Sequence, residues 1–142
     1  MEPRLSIVTL GVADVARARS FYEALGFKAS PSSNENVTFF PAGGVVLALF
    51  GRAALAEDAQ VSDGPCAFAG VTLAHNVRTE SEVGEVLALA ERIGARILRP
   101  GSRAFWGGFT GYFQDLDGHL WEVAHNPYFP LDAEGRVQLP AA

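Results

Sequence analysis

The segment that most constrains the fold runs from Gly111 to Ala124 and reads GYFQDLDGHLWEVA. Two apolar, aromatic-rich runs flank an Asp117-Gly118 turn signal, which is typical of a β-hairpin whose glycine supplies the positive φ of the reversal. Glu122 stands in the middle of the second run, where an ionised carboxylate is costly unless it is paired, hydrated or bound to a cation. The segment therefore predicts a hairpin that carries a site.

Residues 5–50 predict a module with the order β-α-β-β-β. The run 5–12 is rich in β-branched residues and short enough for a strand. Asp14 follows as a helix N-cap, apolar residues then recur at helical spacing, and Gly26 ends the helix as a left-handed C-cap. Short strands are expected at 27–29, 37–40 and 45–50.

Residues 68–125 predict the same order a second time. A strand over 68–77 leads to Thr79 and Glu82, which have the spacing of a capping box. The helix that follows ends at Gly94, a short strand is expected at 95–98 and a loop at 100–108, and the hairpin supplies the last two strands. Residues 51–67 are then a linker, with one or two helical turns over 52–59, and residues 126–142 a C-terminal tail. The repeat depends on element order and on matching helix-ending glycines, Gly26 and Gly94.

One helix can cover only one face of such a sheet, so the other face must pack against something else. Two modules in tandem can bring their uncovered faces together and enclose a cleft, which is where a ligand pocket is expected. We therefore predict a single α+β domain over residues 1–142. In it, two tandem βαβββ modules form a cupped mixed sheet around a cleft, with the helices on the outer face.

Composition excludes several classes of partner. The net charge is −5 and the 11 Lys and Arg residues are scattered, so no basic stripe is available for nucleic acid. No apolar run approaches the roughly 20 residues that cross a membrane, and the N-terminus lacks a leader pattern, which predicts a cytoplasmic protein. The single cysteine, Cys66, fits a reducing compartment, and its small apolar neighbours predict an inert thiol.

Three motifs in a fixed order carry a resemblance to a known family. They are LGVAD at 10–14 followed by FY at 21–22 and LGF at 25–27, then GARI at 94–97, then WGGF at 106–109 continuing to DGHLWE at 117–122. In these motifs the chain resembles the vicinal oxygen chelate superfamily, which includes glyoxalase I, the bleomycin-resistance proteins and the extradiol dioxygenases. The resemblance spans residues 5–126 and implies the same two-module fold.

The resemblance also implies where metal ligands would stand. Metal-dependent members place His, Glu or Gln on the first and last strands of the modules, and Glu122 fits one such position. The other positions fall on Ile7, Leu47 and Gly70, which supply no ligand. Because a catalytic divalent site generally needs about three protein ligands, we expect no cofactor, and a divalent metal is disfavoured. Any metal-binding or catalytic role would fall to Glu122.

The histidines do not supply the missing metal ligands. His119 and His125 stand three residues before and after Glu122, and side chains alternate faces along a strand, so both are predicted to point away from it. His75 is predicted on the face that packs on the helix. Glu122 itself is expected to face the pocket, where it suits binding better than catalysis. The alternative is a retained family residue that hydrogen-bonds to Tyr, Trp or backbone donors or pairs with an arginine such as Arg103.

The aromatic residues define the rest of the predicted site. A hairpin paired around residues 115–118 puts Phe113 and Gly111 on the side of Glu122, and Tyr112 with Trp121 in the core. The loop 105–109 suits a pocket rim or gate, although Trp106 could equally plug the open end of the sheet. The candidate ligand-binding residues are Glu122, Trp106, Phe113, Phe50, Phe68, Phe109 and Gly111.

Three functions remain open at this point. The preferred one is metal-independent binding of a small apolar or aromatic molecule in the cleft between the modules. The alternatives are a divalent-metal-dependent lyase, isomerase or dioxygenase that uses Glu122, and a non-catalytic regulatory or assembly module whose cleft is filled by its own side chains. Whether the protein is an enzyme is left open. By analogy with two-module relatives, a homodimer is expected.

Overall fold

The computed structural model describes residues 1–65 and 67–141, so the thiol predicted to be inert, Cys66, lies outside the described residues. The elements are β1 Ile7–Val12, α1 Val15–Leu25, β2 Val37–Pro41, β3 Val46–Gly51, α2 Arg52–Asp58, β4 Leu73–Asn76, α3 Glu80–Arg92, β5 Arg96–Arg103, β6 Phe109–Gln114 and β7 Leu120–His125. They fall into two compact units, Met1–Ala69 and Gly70–Ala142. None of the described helices has the length and apolar character needed to cross a membrane.

The first unit is a three-stranded sheet in the order β1-β3-β2, with α1 packed on it. As predicted, α1 begins after Asp14, whose carboxylate accepts the Arg17 N–H at 3.0 Å, and ends at Gly26 with φ 120°. The core beneath α1 is aromatic: the Tyr22 ring lies 5.7 Å from that of Phe27 and 6.1 Å from that of Phe40. Burial of this cluster holds the helix on the sheet.

The strand expected at 27–29 is not formed in the first unit. Directly after this segment, the Ser30 N–H donates to the Phe39 carbonyl of β2 at 2.8 Å. The predicted helical turns after β3 are present as α2, which spans Arg52–Asp58.

The second unit is a four-stranded sheet in the order β4-β7-β6-β5, and α3 covers one of its faces. The predicted capping box is confirmed: the Thr79 hydroxyl accepts the Glu82 N–H, and the Glu82 carboxylate accepts the Thr79 N–H at 2.9 Å. Strand β4 is shorter than predicted and contains only residues 73–76, so Phe68 precedes it. Strand β5 is longer than predicted and has two register shifts.

The β6–β7 hairpin determines which side chains share a face. Its connection is five residues long, 115–119, and the Asp115 carboxylate accepts the N–H of Asp117 at 2.9 Å and of His119 at 2.8 Å. Gly118 supplies the predicted positive φ, 92°. The predicted pairing assumed a four-residue connection, and one additional residue exchanges the two faces of a strand relative to its neighbour.

The predicted assignment of the hairpin side chains to the two faces of the sheet is therefore wrong. Tyr112 pairs with Glu122, and Phe113 pairs with Trp121. The rings of Phe113 and Trp121 stack at 6.1 Å with an interplanar angle of 3° in the core under α3. Tyr112, expected in the core, lies instead on the face that carries Glu122.

Candidate functional site

The sheet face opposite α3 carries two rows of side chains that the strand register places side by side. Residues paired across neighbouring strands project from the same face, which makes each row a set of lateral neighbours. We call the two rows together the polar face. The first row is Arg99, Tyr112, Glu122 and Ala74, and the second is Ser102, Thr110, Ala124 and Asn76.

Glu122 is half-buried at the centre of the polar face and is hydrogen-bonded to the phenol of Tyr112. Because a carboxylate can only accept, the Tyr112 O–H is the donor. Desolvation raises the pKa of Tyr112, the negative charge of Glu122 raises it further, and the Arg99 charge opposes both. Of the partners expected for Glu122, a tyrosine is therefore present.

Arg103 does not pair with Glu122. Its guanidinium contacts the carboxylate of Glu80 at the start of α3, with Nη1 3.1 Å from Oε1 and Nη2 3.2 Å from Oε2. The prediction of an Arg103–Glu122 pair is wrong, because Arg103 lies at the far end of β5, opposite Phe109.

The arginine on the polar face is Arg99. Its Cζ lies over the Tyr112 ring, 5.3 Å from the centroid, a cation–π arrangement. Its Nη1 donates to the Ser102 hydroxyl at 2.9 Å, and its Nη2 donates to the Thr110 hydroxyl. The Tyr112 ring therefore stands between a fixed cation and a carboxylate.

The side chains next to Glu122 on β4 and further along β7 are small. Ala74 lies directly opposite Glu122, and Ala124 is its next neighbour on the same face of β7. Neither can fold over the carboxylate as a longer side chain would. The polar face can therefore offer a ligand a hydrogen-bond acceptor, an aromatic ring and a cation in one row.

Phe113 and Gly111 lie on the face covered by α3, so the prediction that they flank Glu122 is wrong. Phe113 is 1% exposed. A Cβ on Gly111 would lie 2.5 Å from Leu87 Cδ1 and 3.0 Å from the Arg99 carbonyl oxygen. The absence of a side chain at Gly111 allows the helix to approach the sheet and does not make room for a ligand.

Phe109 and Trp106 lie at the end of the sheet where β5 connects to β6. Phe109 pairs with His125, and its ring occupies the space that a side chain at Gly101 would need. The Trp106 indole folds over Gly108 and remains 37% exposed. A hydrogen bond from the Ala104 N–H to the Gly108 carbonyl at 2.8 Å closes this loop.

The two remaining candidates, Phe50 and Phe68, belong to the first unit. Phe50 is half-buried on β3, where it pairs with Gly11 and Val37. Phe68 lies outside the strands and is 64% exposed.

The donors around Glu122 do not fit the divalent metal that the fold family implies. Within residues 1–65 and 67–141 no three His, Asp or Glu side chains are grouped so that they could hold a metal ion. The nearest charged neighbour in the row is a cation, Arg99, and the residue opposite Glu122 on β4 is Ala74. A single carboxylate beside a guanidinium is a poor cation site.

The corresponding positions in the first unit are also without ligands. Five residues before each helix N-cap, Asp14 and Thr79, stand Thr9 and Ala74. Because Ala74 pairs with Glu122 and Thr9 pairs with Ala48, the counterpart of Glu122 is Ala48, one residue after Leu47.

Two histidines lie on the α3 side of the sheet, as predicted. His75 pairs with the fully buried Val123, and His125 Nδ1 is 3.4 Å from the Val77 carbonyl oxygen. Desolvation lowers the pKa of His75, and the Glu82 carboxylate partly opposes that change. Neither histidine shares the face of Glu122.

Sequence reasoning missed Arg99 and Tyr112 as site residues. The sequence pattern predicts a strand that ends at residue 98, which leaves Arg99 in a loop. The predicted four-residue turn puts Tyr112 on the core face of the hairpin. The missing signal was the Asp115 side chain, since an Asp that accepts backbone N–H groups two and four residues on favours the longer connection.

This chain is similar to known proteins in both sequence and structure. The family model of the Glyoxalase/Bleomycin resistance protein/Dioxygenase superfamily matches residues 4–123. A glyoxalase-related enzyme from Fulvimarina pelagi is 35% identical, with a TM-score of 0.88, and the match covers 98% of this chain and 99% of that one. No curated protein matches the sequence.

More distant structures share the fold. A glyoxalase/bleomycin resistance protein/dioxygenase family enzyme from Burkholderia phytofirmans PsJN is 18% identical over 84% of this chain and 96% of that one, with a TM-score of 0.75. A lactoylglutathione lyase from Agrobacterium tumefaciens is 20% identical over 89% and 96%, with a TM-score of 0.67. The predicted α+β fold with its βαβββ pattern is confirmed by these likenesses.

Proposed function

The chain belongs to the Glyoxalase/Bleomycin resistance protein/Dioxygenase superfamily, and on that basis we propose that it binds a small apolar or aromatic molecule through Glu122 without a divalent metal. The observation that carries this proposal is the Tyr112–Glu122 pair on a sheet face that α3 does not cover. A carboxylate kept on a strand among apolar residues, and held by a phenol, is suited to accept a hydrogen bond from a ligand.

Shape supports a small, flat ligand. The Tyr112 ring lies beside Glu122, and the exposed Ala74 leaves the approach to the carboxylate open on the β4 side. Aromatic ligands gain from such ring contact beyond the area they bury. The partly exposed Trp106 supplies further apolar surface at the end of the same sheet.

The binding role can be tested with the neutral aromatic amide phenylacetamide, whose N–H₂ group can donate to Glu122. We expect saturable binding by ligand-observed NMR and a loss of about fivefold or more in affinity in Glu122→Gln, because a hydrogen bond to a charged acceptor is replaced by a weaker one. Glu80→Gln is the matched control, since Glu80 pairs with Arg103 away from the polar face. Equal affinity of Glu122→Gln and wild type would contradict the proposal.

Metal independence has its own test. Protein purified with Mn²⁺, Ni²⁺ or Zn²⁺ and then desalted is expected to retain no stoichiometric ion by elemental analysis, and chelation is expected to leave phenylacetamide affinity unchanged. A stoichiometric ion that disappears in Glu122→Gln would contradict this part of the proposal.

A second candidate function is catalysis, because the 35% identical relative is described as a glyoxalase-related enzyme. That alternative is a divalent-metal-dependent lyase, isomerase or dioxygenase that uses Glu122. It predicts turnover of a glutathione hemithioacetal in the presence of added metal and loss of that turnover in Glu122→Gln. Turnover that is unchanged in the variant would exclude the role of Glu122.

We also propose that the protein acts as a homodimer in the cytoplasm, by analogy with two-module relatives. Sedimentation equilibrium at micromolar concentration should give twice the mass of one chain. A single-chain mass would contradict the dimer and leave the proposed ligand site unaffected.

A further inference from the structure

We infer that the ligand of the polar face is an organic acid, and that Arg99, fixed by Ser102 and Thr110, is the subsite for its carboxylate or other oxyanion. The inference rests on the proposed function, since it names the class of molecule that would occupy the same face. It goes beyond that function by assigning a charge to the ligand and a second recognition residue.

Arg99 is held in place by neutral groups. Nη1 donates to the Ser102 hydroxyl at 2.9 Å, Nη2 donates to the Thr110 hydroxyl, and the guanidinium lies over the Tyr112 ring. These partners restrict the side chain without cancelling its charge. In the part of the chain that the structure describes, Arg99 forms no ion pair.

Three other arginines of the chain are paired with carboxylates. Arg19, Arg52 and Arg103 each contact a carboxylate, at 2.8, 2.7 and 3.1 Å. Such pairs neutralise the guanidinium and leave little attraction for a further anion. Arg99 therefore combines an ordered side chain with an uncompensated positive charge, although the protein as a whole has a net charge of −5.

The guanidinium retains donors for a ligand. It has five N–H groups in a planar fork, of which two are used by the hydroxyls of Ser102 and Thr110. The fork matches the two oxygens of a carboxylate or phosphoryl group, and such charge-assisted bonds are about twice as strong as neutral ones. The Ser102 hydroxyl, which accepts from Arg99, keeps its own proton and can donate to the same anion.

Glu122 fixes the orientation of an acidic ligand. Tyr112 lies between Arg99 and Glu122 in the same row, so the two opposite charges come from the strands on either side of it. An anion is repelled by Glu122 and attracted by Arg99. The acid group must therefore lie at Arg99 and a hydrogen-bond donor near Glu122, with the apolar or aromatic body of the ligand between them.

The test compares two probes of nearly identical shape, the anion phenylacetate and its neutral amide phenylacetamide, by isothermal titration or ligand-observed NMR. Wild-type protein is expected to bind phenylacetate about tenfold more tightly than the amide, as one charge-assisted contact allows. Arg99→Gln is expected to abolish that preference, with a much larger loss of affinity for phenylacetate than for phenylacetamide. Arg99→Lys, which keeps the charge but loses the fork, is expected to retain part of the preference.

The control variant is Arg103→Gln on the same strand, which should keep the full preference because Arg103 is paired with Glu80. Ser102→Ala, a milder change, is expected to lower phenylacetate affinity by about fivefold, the effect of one hydrogen bond. Unchanged circular dichroism and melting temperature would establish that each variant is folded. A phenylphosphonate titration distinguishes the two oxyanions, and tighter binding of either acid than of the amide supports the subsite.

Equal affinity for phenylacetate and phenylacetamide in wild-type protein would overturn the inference while leaving the proposed function standing, because the amide still binds. Parallel loss of both probes in a folded Arg99→Gln variant would also overturn it, since that would make Arg99 a support for the face and not an anion subsite. Absence of binding by every probe at millimolar concentration would reject both the inference and the proposed function.

Discussion

At the scale of single residues, Tyr112 is a reporter of the polar face. Its raised pKa has opposing contributions, since desolvation and Glu122 raise it while Arg99 lowers it. Below the ordinary value of 10.0 the folded and unfolded chains both keep the phenol proton. As the pH rises above that value, the unfolded chain loses the proton first, so Tyr112 makes the fold less stable with rising pH.

This assignment predicts opposite pKa changes in two variants. Glu122→Gln removes a negative charge and should lower the pKa of Tyr112, whereas Arg99→Gln removes a positive charge and should raise it. The measurement is the tyrosinate absorbance titration, with the Tyr112→Phe curve subtracted to isolate this residue from Tyr22 and Tyr128. Shifts in the same direction would refute the arrangement of a ring between two opposite charges.

Gly111 makes a second residue-level prediction. Gly111→Ala should destabilise the protein by about 1–3 kcal/mol in urea denaturation, because the new Cβ would press on Leu87 and on the backbone of Arg99 and Gly101. The control is Gly84→Ala on α3, where a Cβ meets nothing within 4 Å. That change should stabilise the protein by about 0.5–1 kcal/mol, as alanine does in a helix interior.

At the scale of elements, the capping box sets the start of α3. Thr79→Ala should lower the free energy of unfolding by about 1 kcal/mol, whereas Thr79→Ser, which keeps the hydroxyl, should change it little. Urea denaturation of the three proteins provides the comparison. An equal loss in both variants would show that the hydroxyl is not what stabilises the helix start.

The same cap carries a pH dependence. The N–H groups of Thr79 and then Arg78 lower the pKa of Glu82. A depressed carboxyl pKa adds stability above the unfolded value of 4.5, and this contribution is lost as the pH falls through the folded value. In Glu82→Ala the acid limb of the stability curve should therefore be shallower than in wild type.

Elements were predicted well where a short stretch of sequence determines them. Helices α1 and α3 follow from Asp14, Gly26 and Thr79, which act on backbone groups within a few residues. The strand at 27–29 and the length of β4 were not predictable in this way. Strands depend on partners distant in the sequence, so local pattern alone does not set their ends.

The site was predicted only in part for the same reason. Glu122 was found because a charge in an apolar strand is unusual wherever the strand pairs. Its neighbours Arg99, Tyr112 and Ala74 come from three other strands, and only the register brings them together. The alternation of side chains along one strand does not determine which residues of the neighbouring strand project from the same face of the sheet.

At the scale of the whole molecule, the segment after β7 folds back on the second unit. The Arg78 guanidinium donates to the Asp132 carbonyl at 2.7 Å and to the Leu131 carbonyl at 3.5 Å. Leu131 also forms a β-bridge with Val137, and the Asp132 carboxylate accepts the N–H of Arg136 at 2.8 Å. The segment predicted as a tail thus has a defined attachment next to the start of α3.

Loss of that attachment should expose the segment to proteases. Arg78→Ala removes both guanidinium contacts and is expected to speed trypsin or thermolysin cleavage within residues 128–139, detected by mass spectrometry. Arg17→Ala on α1 serves as the matched arginine removal and should leave the cleavage rate in that segment unchanged. Equal cleavage rates in Arg78→Ala and wild type would mean that other contacts hold the segment.

The five-residue connection between β6 and β7 has a consequence for how this gene can diverge. Because its odd length places Tyr112 beside Glu122, inserting or deleting one residue there would turn the Tyr112 side chain into the core and the Phe113 side chain out to the polar face. Insertion or deletion of two residues would preserve the arrangement. We therefore expect that functional variants with a longer or shorter turn differ from this chain by an even number of residues.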